Sequence, residues 1–209
     1  MAQKDIGNKT PLHDLKNSKE VKEYYNTWSN NNKYNIDMEN WNYTGPKETV
    51  DTLIKYQKNR NIKVYDAGCG TGLVGIELKN HGFEQISGAD ISNKLLNQVP
   101  KGIYYNLSNV NLNLKINEKD NEYDVVMCVG TFTYEHVKPP ALDEFLRITK
   151  NKGYICFTIN ENIYFEYKFD QKIKMLNETH KWKEIEFYKS NYLASKNVNA
   201  WLGLYEVIK

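Results

Sequence analysis

From about residue 46 onward, apolar residues recur in two alternating rhythms, the 3.6-residue period of helices and the short runs of buried strands. PKETVDTLIKYQKN reads as a helix that starts at Pro46. IKVYD (62–66) is a short apolar strand, and LVGIELKNHG is a helix ended by Gly82. Strand ISGAD (86–90), a helix SNKLLNQV opened by Ser92, and strand IYYNL (103–107) follow. After a polar linker, YDVVMCVG (123–130) is the most apolar strand and is expected at the sheet centre. Helix PALDEFLRIT, with Pro140 in its first turn, leads through the turn KNKG to strand YICFTI (154–159). Strands alternating with helices predict βαβ units and a mostly parallel sheet, hence an α/β fold. Beyond helix FDQKIKMLNET, the runs WKEIEFYKS and WLGLYEVIK are joined by a polar loop with no long helix, which predicts an antiparallel ending.

The first 45 residues follow neither rhythm. A polar tail over 1–19 precedes a segment carrying Tyr24, Tyr25, Trp28, Tyr34, Trp41 and Tyr43, interrupted by the helix-poor run Ser29–Asn32. It reads as two short helices, or a helix and a loop. Residues 20–45 are either a lid over a site, with Trp28 and Tyr34 facing it, or an added helical layer packed on the sheet. At 209 residues the chain suits one α/β core, so residues 20–209 are expected to form a single domain.

Charge narrows the partners. The 28 basic and 26 acidic residues are interspersed and leave a formal +2, which gives no electrostatic footprint for nucleic acid or an anionic membrane. Cys69, Cys128 and Cys156 are far apart, with no C-x-x-C spacing and no paired histidines, so neither a disulfide framework nor a metal site is expected. No apolar stretch of about 18 residues and no signal-type N-terminus is present, and the expected location is the cytoplasm.

Two ligand fingerprints overlap in VYDAGCGTGLVGIEL (64–78). Gly70, Gly72 and Gly75 give G-x-G-x-x-G, the dinucleotide pattern, but there the first glycine comes directly off the strand and the helix amides meet a pyrophosphate. Here the strand ends at Asp66, whose carboxylate would repel a pyrophosphate and suits the sulfonium and ammonium of S-adenosylmethionine. Gly68 and Gly70 let the backbone pass close to that ligand without a Cβ in the way, and Gly75 reads as a close-packing position. Asp90, at the end of the second strand, either accepts from two ribose hydroxyls or caps the helix near Ser92. Ile91 either packs on the adenine face or belongs to the core.

With these motifs in view, the chain resembles a class I S-adenosylmethionine-dependent methyltransferase. More narrowly, it is similar to the methyltransferase-like proteins of the Williams-Beuren syndrome region. The similarity runs from about residue 20 to the end, through YYNTW, DAGCGTGLV, HGFEQISGADIS, YDVVMCVGTFTYEHV and ALDEFLRITKNKGYICFT. It implies a seven-stranded Rossmann-like sheet of order 3-2-1-4-5-7-6 with strand 7 antiparallel, helices on both faces, and S-adenosyl-L-methionine as cofactor. The implied cofactor residues are Asp66, Gly68, Cys69 and Gly70, then Asp90 and Ile91, then Asn109 and Val110, with Cys128 either among them or in the core. Asn109 stands where such enzymes commonly carry Asp, and Glu135 where a glycine is expected before His136.

On the acceptor side, the fourth strand is not followed by the Asn/Asp-Pro-Pro-aromatic sequence of nucleic-acid and glutamine N-methyltransferases. That leaves Thr131, Tyr134, Glu135 and His136 near the strand end. His136 is either the general base or a cap or surface histidine. The expected function is methyl transfer to a small-molecule acceptor by a monomer. The alternatives are a cofactor-binding protein without catalysis, a protein or RNA methyltransferase, and a nicotinamide oxidoreductase.

Overall fold

Seven strands form one sheet in the computed structural model, which describes residues 14–209. They are β1 (Lys63–Ala67), β2 (Gln85–Asp90), β3 (Asn106–Asn109), β4 (Tyr123–Phe132), β5 (Thr149–Asn160), β6 (Trp182–Leu193) and β7 (Val198–Val207). Their spatial order is β3-β2-β1-β4-β5-β7-β6, and β7 alone runs antiparallel to its two neighbours. The apolar YDVVMCVG run lies within β4, at the centre of that order, as its composition requires.

Helices α1 (Ser18–Trp28), α2 (Lys33–Asn40) and α3 (Gly45–Tyr56) precede the sheet, and α4 (Leu73–Asn80), α5 (Asn93–Leu96), α6 (Ala141–Ile148), α7 (Ile163–Glu166) and α8 (Phe169–Glu178) lie between strands. The period-2 alternation of β1 divides the core between two faces. Val64 packs with Val50 and Leu53 of α3 and with Val74 and Leu78 of α4. Tyr65 and Ala67 join the opposite cluster with Phe145 of α6 and Ile173 of α8. Each fully buried Val, Leu or Phe contributes about 1.5–3 kcal/mol relative to exposure, so the two clusters fix which ends of the strands meet at the site.

Three local features differ from the sequence pattern. β3 begins at Asn106, three residues later than expected, because Tyr104 turns inward: a Cβ on Gly75 or Gly88 would come within 2.4 Å and 2.9 Å of its ring. Its apolarity serves packing on α4, not a strand face. The helix expected from Ser92 is one short turn, capped by the Ser92 hydroxyl accepting from Leu95 N. The turn KNKG bulges within β5, where Thr149 pairs with Tyr123 and Tyr154 already pairs with Val125, with Lys152 at φ 62°.

Of the polar tail expected over 1–19, residues 1–13 lie outside the described residues. Leu15 is buried in a third cluster with Val21, Tyr24, Trp28, Met38 and Trp41, and Asn17 caps α1 by accepting from Lys19 N and Glu20 N. The run Ser29–Asn32 breaks the helix as its composition predicts, with Asn31 and Asn32 at φ 54° and 59°, a conformation asparagine tolerates. This layer is fastened to the sheet domain at several points. Asn26 Oδ1 accepts from Ser92 Oγ at 2.7 Å, Ser29 O from Gln98 Nε2 at 2.6 Å, and Asn35 Oδ1 from Thr71 Oγ1 at 2.6 Å. Tyr43 forms an antiparallel bridge with Leu193.

Candidate active site at the strand ends

The carboxyl ends of β1, β2 and β4 open on a cleft. Gly68, Gly70, Asp90, Ile91, Val110, Thr131 and His136 line it, and α1 and α2 close its roof with Val21, Tyr25 and Tyr34. The backbone after β1 can make this floor because Gly68 and Gly70 sit at φ 81° and 55°. A Cβ at 68 would fall 2.1 Å from Thr131 Oγ1, so the loop and the end of β4 are in closest contact there. At 70 it would meet nothing within 4 Å, which leaves a cradle for a ligand.

Asp66 is fully buried at the end of β1. Tyr104 donates its hydroxyl to Asp66 Oδ2 at 2.5 Å and accepts from Gly75 N, while Asp66 Oδ1 has no partner. Burial raises its pKa to about 7, with the Tyr104 hydrogen bond working against the shift and the Asp90 charge adding to it. Asp90 is held at about 6 by burial, offset by amides. Ser92 N donates to its Oδ1 at 2.8 Å and Gly70 N to its Oδ2 at 3.0 Å. The carboxylate is thus fixed at the mouth of the cleft and ties the loop to β2; each oxygen keeps a lone pair for a further donor.

His136 is buried, with its ring centroid 4.9 Å from that of Tyr25 and its Nε2 unpartnered. Burial and the Lys138 charge lower its basicity to about 3, against a hydrogen bond to the Thr131 backbone, so the imidazole is neutral at physiological pH. Glu135 diverges from it. Tyr167 donates to Glu135 Oε1 at 2.6 Å and Lys138 Nζ lies 3.3 Å from Oε2. Glu135 has φ 54°, so the glycine expected at this position matches a backbone requirement that glutamate here meets under strain. Tyr134 packs edge-on to Tyr167, with 6.5 Å between ring centroids.

A second pocket adjoins the cleft through Tyr25, Tyr34 and Gly130 and is walled by Trp28, Tyr43 and Tyr192. Gly130 makes the junction possible: at φ 77°, its Cβ would lie 2.5 Å from the Tyr43 hydroxyl. Among the described residues, no group of three or more His, Cys, Asp or Glu is placed to hold a metal ion.

Of the residues expected from the sequence, Asp90, Gly68, Gly70, Ile91, Val110, Thr131, His136 and Tyr34 line the cleft, and Trp28 lines the pocket beside it. Four expected cofactor residues lie outside that lining, Asp66 among them, buried beneath the loop after β1. Cys128 is enclosed in the core under β4, its thiol pushed up by burial. The Cys69 amide bonds to Ala89 O and its side chain is buried toward Gly88. Asn109 is exposed and spends its amide on the carbonyls of Asp90 and Ile91. Sequence reasoning missed Tyr104, Gly130 and Tyr192. Only the V-G-T step near the end of the fourth strand carried a local signal, for Gly130.

Residues 65–157 match the family described as Methyltransferase domain. The human methyltransferase-like protein 27 is 28% identical over 167 residues, covering 77% of this chain and 67% of that protein. Among solved structures, a Pyrococcus horikoshii OT3 protein superposes with a TM-score of 0.61 at 19% identity, covering 89% of this chain and 99% of that one. An S-adenosylmethionine-dependent methyltransferase from Aquifex aeolicus gives 0.58 at 16% identity, over 77% and 90%.

Proposed function

We propose that this chain, which carries a methyltransferase-domain match over residues 65–157 and the strand order β3-β2-β1-β4-β5-β7-β6, is an S-adenosylmethionine-dependent methyltransferase that transfers the methyl group to a small molecule seated beneath α1 and α2. The observation that carries this reading is the pair of carboxylates at the ends of β1 and β2 around a glycine floor, beside an aromatic pocket covered by Trp28, Tyr34 and Met38 of the α1–α2 layer. The residues present fit the cofactor: Asp66 Oδ1 is a buried acceptor in want of a donor, and the space above Gly70 is one that a side chain would fill. When bound, the cofactor supplies a methyl group on a good leaving group, displaced in line.

In this reading Asp66 acts on the ammonium of the cofactor, directly or through the loop it underlies. Asp90 accepts from the ribose hydroxyls, and Ile91 and Val110 flank the adenine. The α1–α2 layer excludes water from the methyl group and positions the acceptor. His136, buried and neutral with a free Nε2, holds a polar atom of the acceptor. Its low basicity suits hydrogen bonding better than proton removal. Calorimetric titration with S-adenosylmethionine, S-adenosylhomocysteine and NAD tests the cofactor site. Asp90→Ala should weaken the first two about ten- to a hundredfold with the fold intact, and binding of NAD alone would overturn the assignment. Co-crystals with S-adenosylhomocysteine and an acceptor are the direct check on the small-molecule reading.

A further inference from the structure

We propose that the pocket beside the cleft is an aromatic cage and that the methyl acceptor is the nitrogen of an uncharged tertiary or secondary amine. The proposal rests on the reading of the cleft as the cofactor site. The rings of Tyr25, Trp28, Tyr34, Tyr43 and Tyr192 make half of its lining, Thr133 and Asn160 add two neutral polar side chains, and no residue lining it is Asp, Glu, Lys, Arg or His. Neighbouring rings meet steeply, Trp28 with Tyr34 at 73° and 4.9 Å, Tyr43 with Tyr192 at 77° and 5.0 Å, so they form walls with corners and not a stack. Ring faces carry negative potential and attract a cation. Trp28 donates its Nε1–H to buried Asp37 Oδ2 at 2.7 Å, which fixes the indole in the wall; Lys33 Nζ bonds both oxygens of that carboxylate, at 2.6 Å and 2.9 Å.

The same lining disfavours other acceptors. A carboxylate or phosphate inside it would be desolvated without a counter-charge. An alcohol or phenol must shed a proton as it attacks, and the hydroxyls of Tyr43 and Tyr192 are held protonated by burial, Tyr192 at about 12. The nearest imidazole, His136, takes a proton only at about 3. An amine needs no base in the step. Its lone pair forms the N–CH3 bond as the S–CH3 bond breaks, and the positive charge passes from sulfur to nitrogen, into the ring cage. A tertiary amine ends as a quaternary ammonium; a secondary amine afterwards releases its proton to water.

The test titrates choline and its uncharged isostere 3,3-dimethylbutan-1-ol, with 4-methylphenol alongside, into protein saturated with S-adenosylhomocysteine. Choline is expected to bind about tenfold tighter than the isostere. Tyr43→Phe should keep that preference and Tyr43→Leu should reduce it severalfold, while both retain the native affinity for S-adenosylhomocysteine. Equal or absent binding of choline and the isostere, or tighter binding of 4-methylphenol, would overturn the cage. Failure of S-adenosylhomocysteine itself to bind would instead strike the cofactor reading beneath it, and the two failures separate at the first titration.

Discussion

Asp66 couples the site to pH. Its folded value near 7, against 3.8 for the free side chain, means that the folded protein keeps a proton the unfolded chain has already released. The stability this carboxyl contributes is complete below about pH 4 and is lost as pH rises through 7, and Asp90, raised to about 6, acts in the same direction. The groups facing Asp66 are the Tyr104 hydroxyl, the Cys69 thiol and Asp90, none of them cationic. A cationic ligand reverses the sign, because it favours the ionised form. The melting-temperature gain from saturating S-adenosylmethionine should therefore be larger at pH 8 than at pH 5.5; equal gains would remove Asp66 from the ligand's surroundings. The glycines separate by what a methyl group would meet. Gly68→Ala should destabilise the fold through Thr131, whereas Gly70→Ala should cost only about 1 kcal/mol of left-handed backbone strain yet intrude on the cradle and weaken cofactor binding. At 135, denaturant unfolding should find the Gly variant more stable than the Ala variant by about 1 kcal/mol, since both lose the Tyr167 bond and only Ala retains the strained φ. These residues were legible to different degrees. Gly68, Gly70 and Asp90 announce themselves through backbone and charge chemistry within a few positions. The inward turn of Tyr104 depends on glycines at 75 and 88, a complementarity that no periodicity reveals.

At the scale of elements, α1 and α2 are held by an apolar cluster shared with Tyr192, Leu193, Val198 and Ala200 of β6 and β7, and on the cleft side by side-chain hydrogen bonds to the β1 loop and to the Ser92–Gln98 segment. The hydrogen bonds contribute about 1 kcal/mol each, so the cleft-side edge of the layer can loosen while its apolar cluster stays on β6 and β7. Hydrogen exchange over 18–40 should slow when S-adenosylhomocysteine is added, and equal protection with and without it would make the layer a fixed roof. Asn35→Ala, which removes the acceptor for Thr71, should speed exchange in the layer and raise the ligand off-rate severalfold while leaving β4 and β5 protected. The aromatic density of this segment was readable, as was its break at Ser29–Asn32. Its partners were not, because Tyr192 and Leu193 lie beyond the apolar run that marks β6, on the far side of a register shift after Ser190. The third strand shows the converse error: an apolar run that looks extended serves instead to fill a space between helix and sheet.

For the whole molecule, the strand order followed from the sequence once the family resemblance supplied it, and the antiparallel ending was independently visible in two strand-like runs with no helix between them. If the cleft is the cofactor site, a ligand at a hundred times its Kd stabilises the fold by about 2.7 kcal/mol. For a domain of this size that is about 5–10 °C in Tm. S-adenosylhomocysteine should produce such a shift in a thermal melt and NAD at the same concentration none. Among the described residues no helix is long and apolar enough to cross a membrane. One contact bears on how the molecule is made. Thr44 Oγ1 bonds to Asn191 O, 147 residues away, and Tyr43 bridges to Leu193 beside it. On the ribosome the aromatic layer emerges well before its docking strand. The nascent chain therefore carries Tyr25, Trp28 and Tyr34 without that shelter while the intervening residues are made, a long-range closure that is slow and exposed to aggregation.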